Sequence, residues 1–159
     1  MWRLFFILTL AASAAFAQAQ EVIKIGVILP LTGNNAEYGE LCRNGVRFFE
    51  HELNARMEKG ELKNRYQIIL EDDQLLPRMT AEALNKLVNI DHVQAIISTT
   101  GGSGSVIQPR AEQAQILHIC VTTNTNVAKG TYNFTHWTPP QAEAPLLMEI
   151  IKGKGFKRI

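Results

Sequence analysis

The sequence predicts an α/β fold, a Rossmann-like parallel sheet with helices on both faces. Short apolar runs of strand length alternate with longer segments in which apolar residues recur every three or four positions. The runs are mainly apolar, as expected for strands that are buried on both faces. Polar segments, two of them containing glycine, follow the strands, and open α/β sheets bind small molecules at such positions. These observations together predict a small-molecule-binding domain.

The predicted elements alternate as strand, helix, strand, helix, strand, helix and strand, which is the order of a parallel sheet with crossover helices. The predicted strands cover residues 23–29, 66–70, 93–98 and 116–121. An extended piece, residues 132–137, follows the fourth strand. Right-handed crossovers are the expected connections.

The predicted helices are amphipathic, and the first spans residues 39–57. Spacings of three and four define its inward face: Leu41, Gly45, Phe48, Phe49 and Leu53. Pro77 opens the second helix, where proline suits the first turn. Its inward residues are Ala81, Leu84, Leu87 and Val88. The third helix is marked by Val106, Ile107, Ala111 and Ala114, and its predicted N-cap is Ser103 or Ser105.

Residues 1–20 have the order of a secretory signal peptide, with Arg3, then an apolar run, then small residues at Ala15 and Ala17. The apolar run is shorter than the roughly 20 residues that span a bilayer, so no direct membrane insertion is expected. The sequence therefore predicts a protein that is secreted out of the cytoplasm.

The charge balance excludes some partners. Without Arg3, fifteen basic residues balance fifteen acidic ones, which gives no electrostatic footprint for nucleic acid or for an anionic membrane surface. Cys42 and Cys120 could form a disulfide in an oxidising compartment, but both are expected to stay free. Cys120 lies in an apolar run and resembles a small buried hydrophobic residue.

A change of composition at Thr138, Pro139 and Pro140 predicts a boundary. We expect a signal peptide at 1–20, a ligand-binding lobe at 21–137, and a hinge with the start of a second lobe at 138–159. Beyond the boundary, one amphipathic helix and the beginning of a strand would have nothing to pack against. The sequence is therefore expected to be incomplete, with one nearly whole lobe and the first helix of another. The inward residues of this last helix are Ala144, Leu147, Ile150 and Ile151.

The glycine-serine segment, residues 101–105, allows two interpretations. It is either a turn with a serine N-cap or a ligand-binding junction between strand and helix, and the neighbouring polar junction favours binding. No Gly-Lys-Ser/Thr follows, so it is not a phosphate loop. A serine hydrolase would use Ser103 with His118 or His136, and this remains the less favoured alternative. No catalytic residue, metal site or cofactor is predicted.

Three consecutive acids, Glu71, Asp72 and Asp73, follow the second strand. They lack the spaced oxygen ligands of a calcium loop, so a solvated strand end is the expected interpretation.

Several motifs in order resemble the type I periplasmic binding proteins of the branched-chain amino acid receptor family. They are IGVILPLTG with AEYG, LEDD, GGSGS, ILHICVTTNTN and YNFTHWTPP. The resemblance implies two Rossmann-like lobes joined by a three-segment hinge, which close on a ligand and deliver it to the membrane permease of an ABC importer. A ligand-sensing receptor module of the same fold stays open as an alternative. The resemblance implies no enzymatic activity.

The resemblance also implies site residues. The loops after the third and fourth strands grip the α-carboxylate and α-ammonium groups of the ligand in that family, and an aromatic residue lines the cleft. The matching positions here are Ser103, Gly104, Ser105, Thr122, Thr123, Asn124 and Tyr38.

This chain departs from the branched-chain pattern at two places. It has no cysteine near Leu75 or Ser103, where the family has a disulfide. The family has two alanines before a threonine where this chain has the more polar Thr122, Thr123 and Asn124. The expected ligand is therefore an amino acid, an amide or another small carboxylate.

Overall fold

The computed structural model describes residues 21–155. The predicted signal peptide and the strand predicted to begin at Phe156 lie outside these residues. Within them, five parallel strands form one sheet in the order β2-β1-β3-β4-β5, which confirms the predicted fold class. The strands are β1 (Val22–Leu29), β2 (Arg65–Asp72), β3 (Ala95–Ser98), β4 (Leu117–Cys120) and β5 (Asn133–Thr135). The piece predicted only as extended therefore supplies the fifth strand.

Four α-helices accompany the sheet in the described residues. They are α1 (Ala36–Glu58), α2 (Pro77–Asn89), α3 (Gly101–Ala114) and α4 (Pro140–Gly153), and a short 3-10 helix covers Thr125–Val127. Pro77 opens α2 as predicted. The prediction for the start of α3 is wrong, because the glycine-serine segment forms its first turns. Thr100 is the N-cap instead of Ser103 or Ser105, since its hydroxyl oxygen accepts a hydrogen bond from the Ser103 N–H.

The strand order places the helices on both faces of the sheet. The chain moves from β1 outward to β2 and then returns past β1 to β3, β4 and β5. Right-handed crossovers place α1 on the face opposite to α2 and α3. One core joins Ile28 and Ile96 of the sheet to Leu84, Leu87 and Ile107 of these two helices. The reversal between β1 and β3 is a topological switch point, where such sheets bind ligands.

The second core lies under α1, and it corrects the predicted inward face of that helix. Leu41 and Phe48 are each 68% exposed, whereas Cys42 and Val46 pack against the sheet. The reason is a close contact at the start of the helix. A Cβ added at Gly39 would lie 2.0 Å from the carbonyl oxygen of Pro30, so Gly39 must face the chain that leaves β1. Gly45, Phe49 and Leu53 completed the predicted face, and only Leu53 is not exposed.

Polar side chains of α1 reach the outer strand β2. The Ile68 N–H donates to Oε1 of Glu50 at 2.7 Å, and the Tyr66 N–H donates to Oδ1 of Asn54 at 3.0 Å. Nδ2 of Asn54 donates in return to the Tyr66 carbonyl oxygen at 3.0 Å. Side chains of α1 therefore satisfy backbone groups of an edge strand that has no neighbouring strand on this side.

Asn54→Ala is expected to lower the free energy of unfolding by about 1 to 3 kcal/mol, because it leaves a half-buried backbone N–H and C=O of Tyr66 without partners. The control is Asn44→Ala on the exposed side of the same helix. It makes the same change in helix propensity without touching β2. Urea denaturation measures both, and equal stability of the two variants would contradict this role for Asn54.

Both cysteines are free, as expected, with Cys120 buried and Cys42 half-buried. The last helix, α4, buries none of its residues, so its predicted apolar face is open. Leu147 and Ile150 on this helix are 57% and 56% exposed. None of the helices among residues 21–155 combines the length and the apolar character that crossing a bilayer requires.

Candidate functional site

The loops that follow β3 and β4 lie side by side. These strands are neighbours with Ser98 opposite Cys120, so both chains leave the sheet at the same edge. The α-carbon of Gly101 is so close to the second loop that an added Cβ would lie 3.1 Å from both Thr122 Oγ1 and Asn124 Cβ. The glycine-serine and threonine-asparagine segments therefore share one polar border of the sheet.

The N-terminus of α3 forms one half of this border. Thr100 caps it, because its hydroxyl oxygen accepts from the Ser103 N–H at 3.2 Å and its carbonyl oxygen accepts from the Gly104 N–H at 2.8 Å. No group in residues 21–155 accepts a hydrogen bond from the N–H of Gly101 or Gly102. Free N–H groups at a helix N-terminus carry partial positive charge and bind anions such as carboxylates.

The three predicted site residues in α3 have their polar groups engaged. Ser103 is only 5% exposed, and its hydroxyl donates to Oδ2 of Asp73 at 2.6 Å. Gly104 is buried against β4, where a Cβ would lie 2.6 Å from Sγ of Cys120. Ser105 is exposed, and its hydroxyl donates to the Gly101 carbonyl oxygen at 2.7 Å. The backbone of Gly101 and Gly102, rather than these three residues, presents free donors at the border.

The loop after β4 forms the other half of the border. The hydroxyl oxygen of Thr122 accepts from the Asn124 N–H at 3.1 Å, and Oδ1 of Asn124 accepts from the Asn126 N–H at 3.1 Å. Nδ2 of Asn124 lies beside Gly101. Thr123 is exposed, and no residue among those described bonds its hydroxyl. This loop thus offers one free hydroxyl and one side-chain amide next to the helix N-terminus.

Tyr38 brings α1 to the same border. Its hydroxyl donates to the Thr99 carbonyl oxygen at 3.4 Å, and the residue is 43% exposed. Burial of the hydroxyl raises the pKa of Tyr38, so it is a neutral donor at physiological pH. The predicted aromatic wall and the two predicted loops therefore meet at the end of β3.

The prediction that the three acids form a solvated strand end is wrong, because Glu71 and Asp72 end β2, Asp73 follows it, and none of the three is exposed. Burial would raise the pKa of Asp72, but hydrogen bonds from Thr32, Gln74 and Leu31 outweigh it and leave the pKa lowered. These bonds join the loop after β1 to the loop after β2. Asp73 is only 1% exposed, and its carboxylate oxygens accept hydrogen bonds from Leu75, Thr80 and Ser103. The carboxylates of Asp72 and Asp73 thus fix the loops, and that of Glu71 pairs with Lys86 of α2.

The hydrolase alternative finds no serine-histidine pair at Ser103. His118 instead contacts Ser98 at 2.9 Å through Nε2 and Asn133 at 2.9 Å through Nδ1. His118 and Ser98 are fully buried and Asn133 is 3% exposed, so this chain of side chains is closed to substrate. Among residues 21–155, no group of three His, Cys, Asp or Glu side chains is arranged to hold a metal ion.

The surface of the described residues has several depressions. A depression of about 460 Å³ lies between the loops after β1 and β2, and Gly33, Asn35 and Gln74 are among its lining residues. A larger one, about 650 Å³, lies between α1 and the beginning of β2, and its lining includes Arg47 and Arg65. The larger depression is at the amino ends of the strands and is remote from the polar border. An apolar pocket of about 300 Å³ adjoins the border on the side of α1, and Tyr38 and Thr99 are among its lining residues.

Fold and border together define a class, an open parallel α/β lobe with free helix N–H groups beside its topological switch point. A family model described as periplasmic binding protein matches residues 22–159, and the chain belongs to this family. This confirms the resemblance to type I periplasmic binding proteins that the sequence motifs predicted.

Individual relatives agree with the family. The chain is 35% identical over 112 residues to the Leu/Ile/Val-binding protein BraC3 of Rhizobium johnstonii, a match that covers 69% of this chain and 30% of that protein. The leucine binding protein LivK of Thermotoga maritima has the same fold, with a TM-score of 0.64, 24% identity and coverage of 84% and 38%.

A second solved structure is a solute binding protein of an ABC transporter from Rhodopseudomonas palustris in complex with 3,4-dihydroxybenzoic acid. Its TM-score is 0.59 at 21% identity, with 71% of this chain and 31% of that chain covered. The chain thus spans well under half the length of these relatives.

Sequence reasoning missed the free backbone donors of Gly101 and Gly102 and the roles of Thr100 and Asp73. One signal was present for Thr100. It stands three residues before Ser103, the spacing at which an N-cap hydroxyl meets the backbone N–H that it accepts from. No local signal pointed to Asp73, because its bond to Ser103 joins residues thirty positions apart.

Proposed function

We propose that this chain forms the first wall of the ligand cleft of an extracytoplasmic solute-binding protein. It captures an amino acid, an amide or another small carboxylate, performs no chemistry on it, and delivers it to the permease of an ABC importer. The proposal assigns residues 1–20 to export into the periplasm, residues 21–137 to the first lobe, and residues 138–159 to the hinge and the start of the second lobe. The observation that carries it is the pair of free N–H groups at Gly101 and Gly102, in a turn that lies against Thr122 and Asn124.

The border suits an amino acid because it supplies donors and acceptors close together. The N–H groups of Gly101 and Gly102 would hold the carboxylate, assisted by the partial positive charge of α3. A threonine hydroxyl both donates and accepts, so Thr122 and Thr123 suit a zwitterion. Tyr38 would cover the ligand from the side of α1. Ser103, Gly104 and Ser105 would act by shaping the first turns of α3, and Asn124 would add its side-chain amide.

The names of the relatives support this ligand class. BraC3 is named for binding leucine, isoleucine and valine. The Rhodopseudomonas palustris protein holds an aromatic carboxylic acid. A carboxylate is common to these ligands, and a helix N-terminus is the feature of the border that would recognise it. The second wall would come from a second lobe, which would close over the ligand and exclude water.

Thr123→Ala is expected to weaken ligand binding by about 1 to 3 kcal/mol, because a buried polar group of the ligand loses its partner. Thr125→Ala is the matched control, since Thr125 is also exposed but lies in the following 3-10 helix. The measurement is calorimetry with the twenty amino acids, their amides and benzoate. It uses the complete gene product, including any sequence that follows residue 159.

The absence of binding by any of these compounds at millimolar concentration would contradict the proposed function. Equal losses in Thr123→Ala and Thr125→Ala would contradict the proposed position of the ligand. Delivery to an importer is tested separately in cells. Deletion of the gene should abolish high-affinity uptake of the compound that binds, whereas unchanged uptake would favour the sensing alternative.

A further inference from the structure

Asp73 is a buried carboxylate to which neither the predicted site nor the proposed ligand contacts assign a role. It is 1% exposed, and no Lys, Arg or His side chain in residues 21–155 forms a salt bridge with it. A buried charge without a cationic partner is costly unless hydrogen bonds satisfy it. Hydrogen bonds to Asp73 therefore offset the cost of burying its carboxylate.

The hydrogen bonds of Asp73 join four parts of the fold. Its backbone N–H donates to the Leu29 carbonyl oxygen at the end of β1, at 3.1 Å. Its Oδ1 accepts from the Leu75 N–H at 3.0 Å, which fixes the loop before α2. Its Oδ2 accepts from the hydroxyls of Thr80 in α2 at 3.1 Å and of Ser103 in α3 at 2.6 Å. Through its backbone and its side chain, this one residue thus links the end of β1 to the beginnings of two helices.

The bond to Ser103 reaches the polar border through a directed chain of hydroxyl groups. A carboxylate only accepts, so the Ser103 hydroxyl must donate to Asp73. The oxygen of Ser103 then accepts from the Thr100 hydroxyl at 2.9 Å. The oxygen of Thr100 in turn accepts from the Ser103 N–H at 3.2 Å. Asp73 therefore sets the rotation of the first turn of α3, where the N–H groups of Gly101 and Gly102 are free.

We infer that Asp73 is a positioning residue of the border. It holds the first turn of α3, with the free N–H groups of Gly101 and Gly102, beside the loop after β4. The expected effect of Asp73 on ligand affinity rests on the proposed function, whereas its expected effect on the geometry of this turn does not.

Two hydroxyls that donate to the same oxygen of Asp73 give a matched test. Ser103→Ala removes the bond toward the border, and Thr80→Val removes the bond toward α2 while keeping the shape of the side chain. Asp73→Asn keeps the size of the side chain and removes its charge. NMR spectra of the full chain, labelled with ¹⁵N, report on the amide groups of Gly101, Gly102 and Gly104.

Asp73→Asn and Ser103→Ala should shift the Gly101 and Gly102 amide signals and speed hydrogen exchange at Gly104 by about tenfold, because loss of a hydrogen bond to a charged group loosens the turn. Thr80→Val should leave these signals unchanged even where it lowers the melting temperature. The effect of the double variant of Asp73→Asn and Ser103→Ala should be smaller than the sum of the two single effects, since both changes act on the same link.

The inference is overturned if the amide signals of Gly101 and Gly102 stay at their wild-type positions in both Ser103→Ala and Asp73→Asn. It is also overturned if Thr80→Val shifts these signals as much as the other two variants do. If the Asp73→Asn variant does not fold, the amide signals of Ser103→Ala and Thr80→Val are compared instead, and a shift in Ser103→Ala alone supports the inference. The panel of amino acids, amides and benzoate is then titrated into the complete gene product. About tenfold weaker binding in Ser103→Ala than in Thr80→Val is expected. If no compound binds to the wild type while the amide signals respond, the proposed function fails and the positioning role stands.

Discussion

Gly39→Ala is expected to destabilise the lobe by about 3 kcal/mol or more, because the new methyl group has no space. The added Cβ would lie 2.0 Å from the carbonyl oxygen and 2.6 Å from the carbonyl carbon of Pro30. Both are backbone atoms at the end of β1, so neither can turn aside as a flexible side chain could. The helix would have to move away from the strand, and the packing of Cys42 and Val46 on the sheet would be lost with it.

Gly45→Ala is the matched control on the same helix. A Cβ at Gly45 meets nothing within 4 Å, so the substitution adds helix propensity without a clash. It should leave stability unchanged or raise it by up to about 1 kcal/mol. Urea denaturation at neutral pH measures both variants. A Gly39→Ala variant as stable as Gly45→Ala would show that α1 does not rest on the chain after β1 as described.

Acidification is expected to destabilise the lobe through His118. Burial lowers the pKa of His118 below its ordinary value, and the hydrogen bond to Asn133 opposes this only in part. Because the folded-state pKa lies below the unfolded one, the unfolded chain binds the proton more tightly. The stability from the neutral imidazole is therefore complete above about pH 6.5 and is lost as the pH falls. The loss is about 1.4 kcal/mol per pH unit until the folded-state pKa is reached.

The free energy of unfolding is measured at about equal pH steps from about pH 7.5 to about pH 5, the range in which histidine side chains titrate. His118→Gln cannot titrate, so it should lose this part of the slope although its stability at pH 7.5 is lower. His51→Gln is the control, because the side chain of His51 is 78% exposed on α1. A slope that persists in His118→Gln would assign the acid sensitivity to other groups.

The fold was predictable because its first four strands are built around apolar residues, and such runs need little context to be recognised. The exact extent of the sheet was harder to predict. β5 has only three residues and begins with Asn133, a polar residue that is buried because its amide side chain bonds His118, Gln108 and Glu112. Nothing in the local sequence distinguishes such an asparagine from one in a loop.

The inward face of α1 was not predictable from periodicity because the helix has apolar residues on more than one side. Leu41 and Phe48 fit the helical spacing as well as Cys42 and Val46 do. The contact between Gly39 and Pro30 decides between the two faces, and it is a tertiary contact. A propensity or a hydrophobic period carries no information about it.

The border was predicted in its location but not in the orientation of every side chain. Parallel neighbours end at the same edge, so the proximity of Gly101 to Thr122 followed from the strand order. Ser103 was expected to face the ligand, yet its hydroxyl bonds Asp73 in the interior. The sequence shows a serine near a helix N-terminus, and the choice between a ligand and a distant carboxylate is made by the tertiary structure.

The bonds from Glu50 and Asn54 to β2 also bear on how molecules of this protein meet one another. Exposed sheet margins recruit strands from other molecules through unused backbone groups, which is the first step toward fibrils. Both backbone groups of Tyr66 and the N–H of Ile68 are already occupied by α1. A strand from a neighbouring copy could pair with this part of the margin only by displacing Glu50 and Asn54, so sheet-to-sheet contact between copies is disfavoured here.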